Sequence, residues 1–413
     1  MTQNMILLAK SDGHFNPQER ISFFACALLI LWRPLYAYYL HIDGAGIFTN
    51  IILLSAFIIN IKQIFSLSIK GPIALYWVLA LYITANGLLK GGQEAFPQNG
   101  VYQLIASATT APLLLSIIAP LFIRRFDLTV KSIAITLYFY TFLFLINTRM
   151  TEIGGNNRLS GDINANEAAF AFIACYLCLL LLNARGKIRL YWLILLSIPL
   201  FSVILLTGSR MALTMFALIS IFTGFSHINF KDHKSLPKII ALICSIVIFF
   251  FVIQNTTTVG ERFSQTGAEL EEGGEETGTP LDMLGDRGLA YYISWPYFLD
   301  NPVTGIGFQR WRVVNPLGFR AHSEYMVMYL ENGVIALALY IIFLSLTIRR
   351  IMRRWKFKNQ MDKYTDAILL SAILSIIYAN VVLWTFNEYP VFVIYAMCFA
   401  RGCKQKRITL IPA

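Results

Sequence analysis

Three short polar clusters, each immediately ahead of a long apolar run, hold the residues best suited to chemistry. They are Arg158 to Glu167, Thr207-Gly208-Ser209-Arg210, and Arg320-Ala321-His322-Ser323-Glu324. If each apolar run is a helix, its amino terminus offers unpaired backbone N–H donors and the positive end of a dipole. An arginine beside such a terminus adds a planar fork of donors matched to phosphate or carboxylate oxygens. Arg158, Arg210 and Arg320, with Asn166, Ser209 and Ser323, therefore read as a set able to bind a phosphorylated ligand. The plainer reading is that Ser209, Ser323 and the Asn164/Asn166 pair only cap helices, which leaves the accompanying arginines and histidine unexplained. His322 differs in kind. Directly ahead of a helix, the dipole disfavours imidazolium and helps keep the ring neutral, and a neutral ring accepts a hydroxyl proton.

The elements that must position these residues follow from composition. The chain has 413 residues, 57% hydrophobic and only 14% charged, which excludes an ordinary soluble enzyme. Apolar segments fall at about 21–40, 46–61, 71–89, 101–123, 130–147, 166–183, 188–206, 209–226, 238–254, 324–347, 365–386 and 389–401. Most are long enough to cross a hydrocarbon core about 30 Å thick. The expected fold is all-α, a polytopic membrane protein of about twelve transmembrane helices. Residues 1–253 carry the first nine spans, 254–323 a large extracytoplasmic loop, and 324–413 the last three spans and a cytoplasmic tail. The first apolar run is longer than a signal-peptide core and reads as a retained helix.

With both termini inside, 24 of the 34 basic residues face the cytoplasm, nine face outward and Arg33 lies within the first span. That asymmetry fixes the orientation, and it makes the net charge of +11 a matter of topology rather than of nucleic acid. The outward nine are Lys90, Arg149, Arg158, Arg210, Arg262, Arg287, Arg310, Arg312 and Arg320, whereas the inward 24 divide into 13 lysines and 11 arginines. An outer face selecting arginine is where a phosphorylated ligand is expected; loop arginines paired with nearby acids are the plainer alternative. The three clusters above and His322 lie on this face; His41 is the other outer histidine.

The long loop begins with Glu269, Glu271, Glu272, Glu275 and Glu276 among glycines and threonines, a solvated stretch without metal-ligand spacing. Beyond Arg287 it changes. Leu289 to Leu299 carries Tyr291, Tyr292, Trp295, Tyr297 and Phe298, which suits a short interfacial helix roofing a cavity between the spans. The six cysteines lie in or beside apolar runs, and the Cys175/Cys178 pair reads as helix packing. No disulfide framework, metal site or cofactor is expected.

His322-Ser323 followed after nine residues by Gly333 resembles the pattern His-[Asn/Ser/Gln]-x9-Gly-x-x-[Gly/Thr/Tyr] of bacterial O-antigen ligases, with Ala336 departing at the last position. Thr207-Gly208-Ser209-Arg210 and the turn Asn301-Pro302-Val303-Thr304-Gly305-Ile306-Gly307 are similar to the TGSR and Pro-x-x-Gly-x-Gly signatures of the wider O-antigen ligase and polymerase superfamily. The Arg158 to Asn166 stretch is similar to its Arg-then-Asn segment. The resemblance implies an inverting, metal-independent glycosyltransferase of the GT-C type. Such an enzyme moves a whole glycan from undecaprenyl diphosphate to a lipid A core sugar at the periplasmic face of the bacterial inner membrane. On that expectation Arg210 and neighbouring arginines hold the diphosphate without a cation, and His322 acts on the acceptor hydroxyl. Arg158, Asn166, Ser209, Arg287, Arg320 and Ser323 line the donor site.

Two other functions compete. An O-antigen polymerase shares the donor chemistry but takes a second lipid-linked glycan as acceptor, and the His-Ser-x9-Gly match favours ligase over it. A transporter would place carboxylates near the membrane midplane. Here Glu167, Glu331 and Asp366 sit near span ends, and no inverted repeat is visible.

Overall fold

The computed structural model describes residues 14–35, 51–59, 61, 71–96, 100–153, 156–160, 165–226, 286–315, 323–353, 360–382 and 388–402. The ninth apolar segment, 238–254, and the acidic part of the long loop lie outside them. In chain order the named elements are α1 (Pro17–Leu35), α2 (Pro72–Leu89), α3 (Gly100–Arg124), α4 (Phe126–Asn147), β1 (Arg149–Ile153), β2 (Asn156–Ser160), α5 (Ala165–Ala184), α6 (Leu190–Thr207) and α7 (Arg210–Ser226). After the long loop come α8 (Asp286–Asp300), the one-turn α9 (Trp311–Val314), α10 (Glu324–Met352), α11 (Gln360–Val382) and α12 (Tyr389–Gly402). A further helical stretch covers 51–59.

Among the described residues six helices are long and apolar enough to cross a membrane: those at Pro72–Leu89, Gly100–Arg124, Phe126–Asn147, Leu190–Thr207, Glu324–Met352 and Met361–Val381. Shorter apolar helices lie at Ala168–Ala184, Arg210–Phe225 and Tyr389–Arg401. The helices are amphipathic only in a membrane sense. Ile135, Phe139, Phe142 and Ile146 of α4 and Ile194, Leu195 and Ile198 of α6 are exposed, as expected of surfaces that face lipid rather than water.

Two helices are apolar on every side and are buried accordingly. Every residue from Ala168 to Leu182 of α5, and from Val391 to Cys398 of α12, is buried. α5 packs against α4, α6, α7, α11 and α12, and α12 against α3, α10 and α11, so this pair is the axis of the bundle. Cys175 and Cys178 are buried thiols within α5, and the Cys175 Sγ lies 3.6 Å from the carbonyl of Ala134.

One end of the bundle is closed by ions. Arg185 at the end of α5 pairs with Asp127 at the start of α4 and lies 3.9 Å from Asp362 at the start of α11. Arg401 at the end of α12 reaches Asp362 at 2.5 Å and the fully buried Asp366 at 3.2 Å. Both guanidinium groups stand over the ring of Phe126, at 5.3 and 5.8 Å. On α1, Glu19 pairs with Arg125 at 3.6 Å. Arg125, Arg185 and Arg401 all belong to the set assigned to the cytoplasm, so the network marks one bundle end as theirs. Asp366 is a structural partner of Arg401.

The structure departs from the sequence expectation in two places. β1 and β2 form an antiparallel hairpin with Ile153 opposite Asn156, where an all-α fold was expected. Two short strands separated by Gly154-Gly155 are a hairpin signal, and that dipeptide was the clue. The larger departure is in α10, which is two helices. Gly333 sits at φ 71°, ψ −173°, outside helical geometry. The rings of Tyr325 and Tyr340 are 6.2 Å apart, whereas a straight helix would separate these positions by about 22 Å. Residues 324–332 therefore form a half-helix folded back on 334–352, and only the second piece runs the length of the bundle. The single span expected at 324–347 is corrected to this pair, because a glycine in that conformation ends a helix whatever the hydropathy around it.

Candidate active site

The first corner of the site joins α6 to α7. Gly208 at φ 63° ends α6, its N–H donating to the Leu205 carbonyl at 3.1 Å. This left-handed turn lets the chain reverse within two residues. Ser209 is buried, and its Oγ accepts from the Ala212 N–H at 3.3 Å, capping α7. Arg210 is the first residue of α7, half-buried, at the helix end with the positive dipole. The β1–β2 hairpin packs against α6, bringing the strand that carries Arg158 to this same corner.

The second corner is the half-helix. Ser323 caps it, its Oγ accepting from the Met326 N–H at 3.4 Å and donating to the Asn380 carbonyl at 3.2 Å. Asn380 in turn donates through Nδ2 to the Tyr340 hydroxyl at 2.8 Å. Because Tyr340 is seven residues beyond the break, the amino end of the half-helix lies about 10 Å down α10 from Gly333. It was expected at the bundle surface and is instead recessed inside, with Ser323 and Glu324 both buried.

Both corners converge on α11. α7, which Arg210 begins, packs against α11, and Asn380 in the last turn of α11 holds Ser323. Arg158 and Asn166 lie in β2 and the first turn of α5, at the same end of the bundle. Arg287 lies in the first turn of α8. His322 and Arg320 fall outside the described residues; chain continuity places position 322 next to Ser323.

α8 covers the half-helix. Ile293, Tyr297 and Phe298 pack on a cluster of Ile306, Trp311, Met326, Val327 and Leu330, and the rings of Phe298 and Tyr329 stack at 4.9 Å. Tyr292, Trp295 and Leu299 on the other side are exposed. This is the amphipathic helix expected at 289–299, extended to Asp286–Asp300.

The two glycine motifs prove to be halves of one knot. Ile306 and Gly307 donate their N–H groups to the carbonyls of Leu330 and Glu331 at 2.9 and 2.7 Å, and Val334 donates to Pro302 at 3.0 Å. Backbone approach this close leaves no room for side chains: a Cβ on Gly305 would meet the Asn332 nitrogen at 2.4 Å. The buried Glu331 carboxylate accepts from the Gln309 N–H at 2.9 Å. From α2, Asn86 Nδ2 donates to the carbonyls of Thr304 and Glu331 at 2.8 and 3.0 Å. Lys90 Nζ donates to the Thr304 hydroxyl at 2.7 Å and to the Gly305 carbonyl. Burial and the neighbouring Arg310 hold the Lys90 ammonium below the usual lysine range. Arg310 donates to the Lys90 carbonyl at 2.5 Å. Two of the nine cations assigned to the outer face thus tie the loop to α2, through carbonyls and a hydroxyl rather than through the acids of the plainer reading. Asn86 and Lys90 are the residues that motif reasoning missed; their polarity at the end of an apolar span was the available signal.

Residues 192–341 match a family model described as O-antigen ligase. The match takes in the α6–α7 corner, α8, the glycine knot and the half-helix, and leaves Arg158 and Asn166 outside. No curated protein matches the chain.

Proposed function

The chain carries an O-antigen ligase domain and is a member of the O-antigen ligase and polymerase superfamily, and from that premise we propose that it transfers a glycan en bloc from undecaprenyl diphosphate to a lipid A core sugar. The observation that carries this reading is that α7, which begins at Arg210, and the Ser323-capped half-helix both pack on α11. In lipopolysaccharide biosynthesis such a reaction belongs to the periplasmic face of the inner membrane, opposite the ion-closed end of the bundle. The membrane frame is taken as twelve spans.

In this reading Arg210 and the α7 amino terminus draw off negative charge as the diphosphate leaves, so no metal ion is required. Arg158, Arg287, Arg320 and Asn166 line the donor side. Ser209 and Ser323 contribute by fixing where the two helices begin. His322 accepts the proton of the attacking hydroxyl, and attack opposite the leaving group inverts the anomeric centre. Ala336, the one departure from the ligase pattern, is fully buried.

Arg210 provides the test. Arg210→Lys keeps the charge but loses the planar fork, and turnover of lipid-linked donor in detergent should fall about tenfold or more. Arg210→Ala should lose about a hundredfold, with weakened donor binding. If both folded variants turn over donor at the parental rate, Arg210 is a helix-start residue and the diphosphate lies elsewhere. Donor consumption in detergent, where no compartments exist, would also exclude a purely transport role.

A further inference from the structure

In and at the end of the largely apolar α2 stand Tyr82, Asn86 and Lys90, three polar residues spaced four apart. That spacing sets them one above another on a single face. All three donate hydrogen bonds to the same region. The Tyr82 hydroxyl donates to the Asn332 carbonyl at 3.0 Å, and Asn86 Nδ2 reaches the Asn332 Oδ1 at 3.3 Å as well as the Thr304 and Glu331 carbonyls. Lys90 holds Thr304 and Gly305. Glycines let the loop close on this end of the helix. A Cβ on Gly87 would stand 3.1 Å from the Phe308 Cβ, and one on Gly92, just past α2, 2.0 Å from the Phe308 carbonyl oxygen.

What the stripe meets is the carboxyl end of the half-helix. A continuous helix would satisfy the carbonyls of Leu330, Glu331 and Asn332 from residues 334–336. Here Val334 donates to Pro302, and the three carbonyls accept from other segments: Leu330 from the Ile306 N–H, Glu331 from the Gly307 N–H and Asn86, and Asn332 from Tyr82. Inside a membrane bundle a broken helix persists where neighbouring groups satisfy the backbone that the break frees. Loop and stripe together therefore form a helix cap supplied from elsewhere in the chain. Thr84, on the same helix, bonds only inward: its hydroxyl donates to the Ala80 carbonyl at 2.8 Å.

The opposite end of the half-helix carries Ser323, bonded to Asn380 of α11, on which α7 with Arg210 also packs. We propose that Tyr82, Asn86 and Lys90 are positioning residues for glycan transfer. By capping the far end of the half-helix they fix where its amino end stands against α11, without touching substrate. The proposal rests on the glycan-transfer reading given above.

Asn86→Leu removes the donors at similar size, and Tyr82→Phe removes one hydroxyl. In detergent with lipid-linked donor and acceptor, kcat should fall about tenfold in Asn86→Leu and about threefold in Tyr82→Phe. Donor affinity should stay at the parental value, because Gly208 and Ser209 build the α6–α7 corner without the stripe. Amide hydrogen exchange over residues 324–332 should quicken in both variants and stay parental over 100–124. Thr84→Val should match the parent in rate and in exchange. A folded Asn86→Leu with parental kcat, or with parental exchange over 324–332, overturns the proposal and leaves the glycan-transfer reading standing. So does donor affinity that falls in step with kcat. Should Asn86→Leu fail to fold, Tyr82→Phe decides by the same readings. A parental protein that transfers no glycan overturns the glycan-transfer reading, and the positioning role falls with it.

Discussion

Gly333→Ala should largely abolish recovery of folded protein, the largest stability effect expected of any single methyl group in this chain. An added Cβ would stand 2.1 Å from the Val303 carbonyl oxygen and 2.3 Å from its carbon. Both are backbone atoms held by the pairing of residues 306–307 with 330–331, so no side chain can swing aside. The φ 71°, ψ −173° conformation is itself almost exclusive to glycine. Strain of about 1–3 kcal/mol is joined by the cost of displacing that backbone, and together these exceed an ordinary point mutation. Gly186→Ala is the matched comparison. Gly186 also has positive φ, at 66°, but nothing lies within 4 Å of its absent Cβ, so about 1 kcal/mol is expected there. Monodisperse yield and thermal melting in detergent check both. If Gly333→Ala melts like Gly186→Ala, the half-helix is not pinned by the knot.

His322→Ala should abolish transfer, by about 10²- to 10⁴-fold, while donor binding survives. A neutral ring supplies a base but no charge for diphosphate, so the loss should appear in turnover and not in affinity. Parental activity should fall as pH drops and the ring gains its proton. Arg210→Ala should show the converse, weakened donor affinity. Measuring lipid-linked donor affinity for both variants separates the roles, since an equal loss of binding in each would move His322 into the diphosphate site.

Much of the scaffold was legible because hydropathy reports burial in lipid directly. Pro72 and Leu89 bound a helix where an apolar run was read at 71–89, and α5 from Ala168 to Leu182 and α12 from Val391 to Cys398 are apolar because they are enclosed. The break in α10 was not legible in the same way. Hydropathy averages over Asn332-Gly333, and it takes the Gly333 backbone conformation and the approach of Tyr325 to Tyr340 to show that the segment reverses there. Motif spacing located Gly305, Gly307 and Gly333 without revealing that they face one another, since their contact is a matter of backbone approach between distant segments. Net charge by side gave the grouping of the inner cations but assigned Lys90 and Arg310 to a ligand face, when their partners are carbonyls of the chain itself. Of the site, Ser209, Arg210 and Ser323 could be placed on their elements, with Arg158, Asn166 and Arg287 placed by backbone. His322 and Arg320 lie outside the described residues, and their roles rest on sequence.

The most direct measurement of the central claim is the mass of the product formed when the purified protein meets undecaprenyl diphosphate-linked glycan with and without lipid A core. The account predicts that donor is consumed when the core is present, giving a core heavier by the whole glycan and free undecaprenyl diphosphate. Donor consumed equally without the core, with glycans joined to one another on the lipid, would contradict a ligase and assign the same site to polymerisation. Donor left intact in both mixtures would contradict glycan transfer altogether.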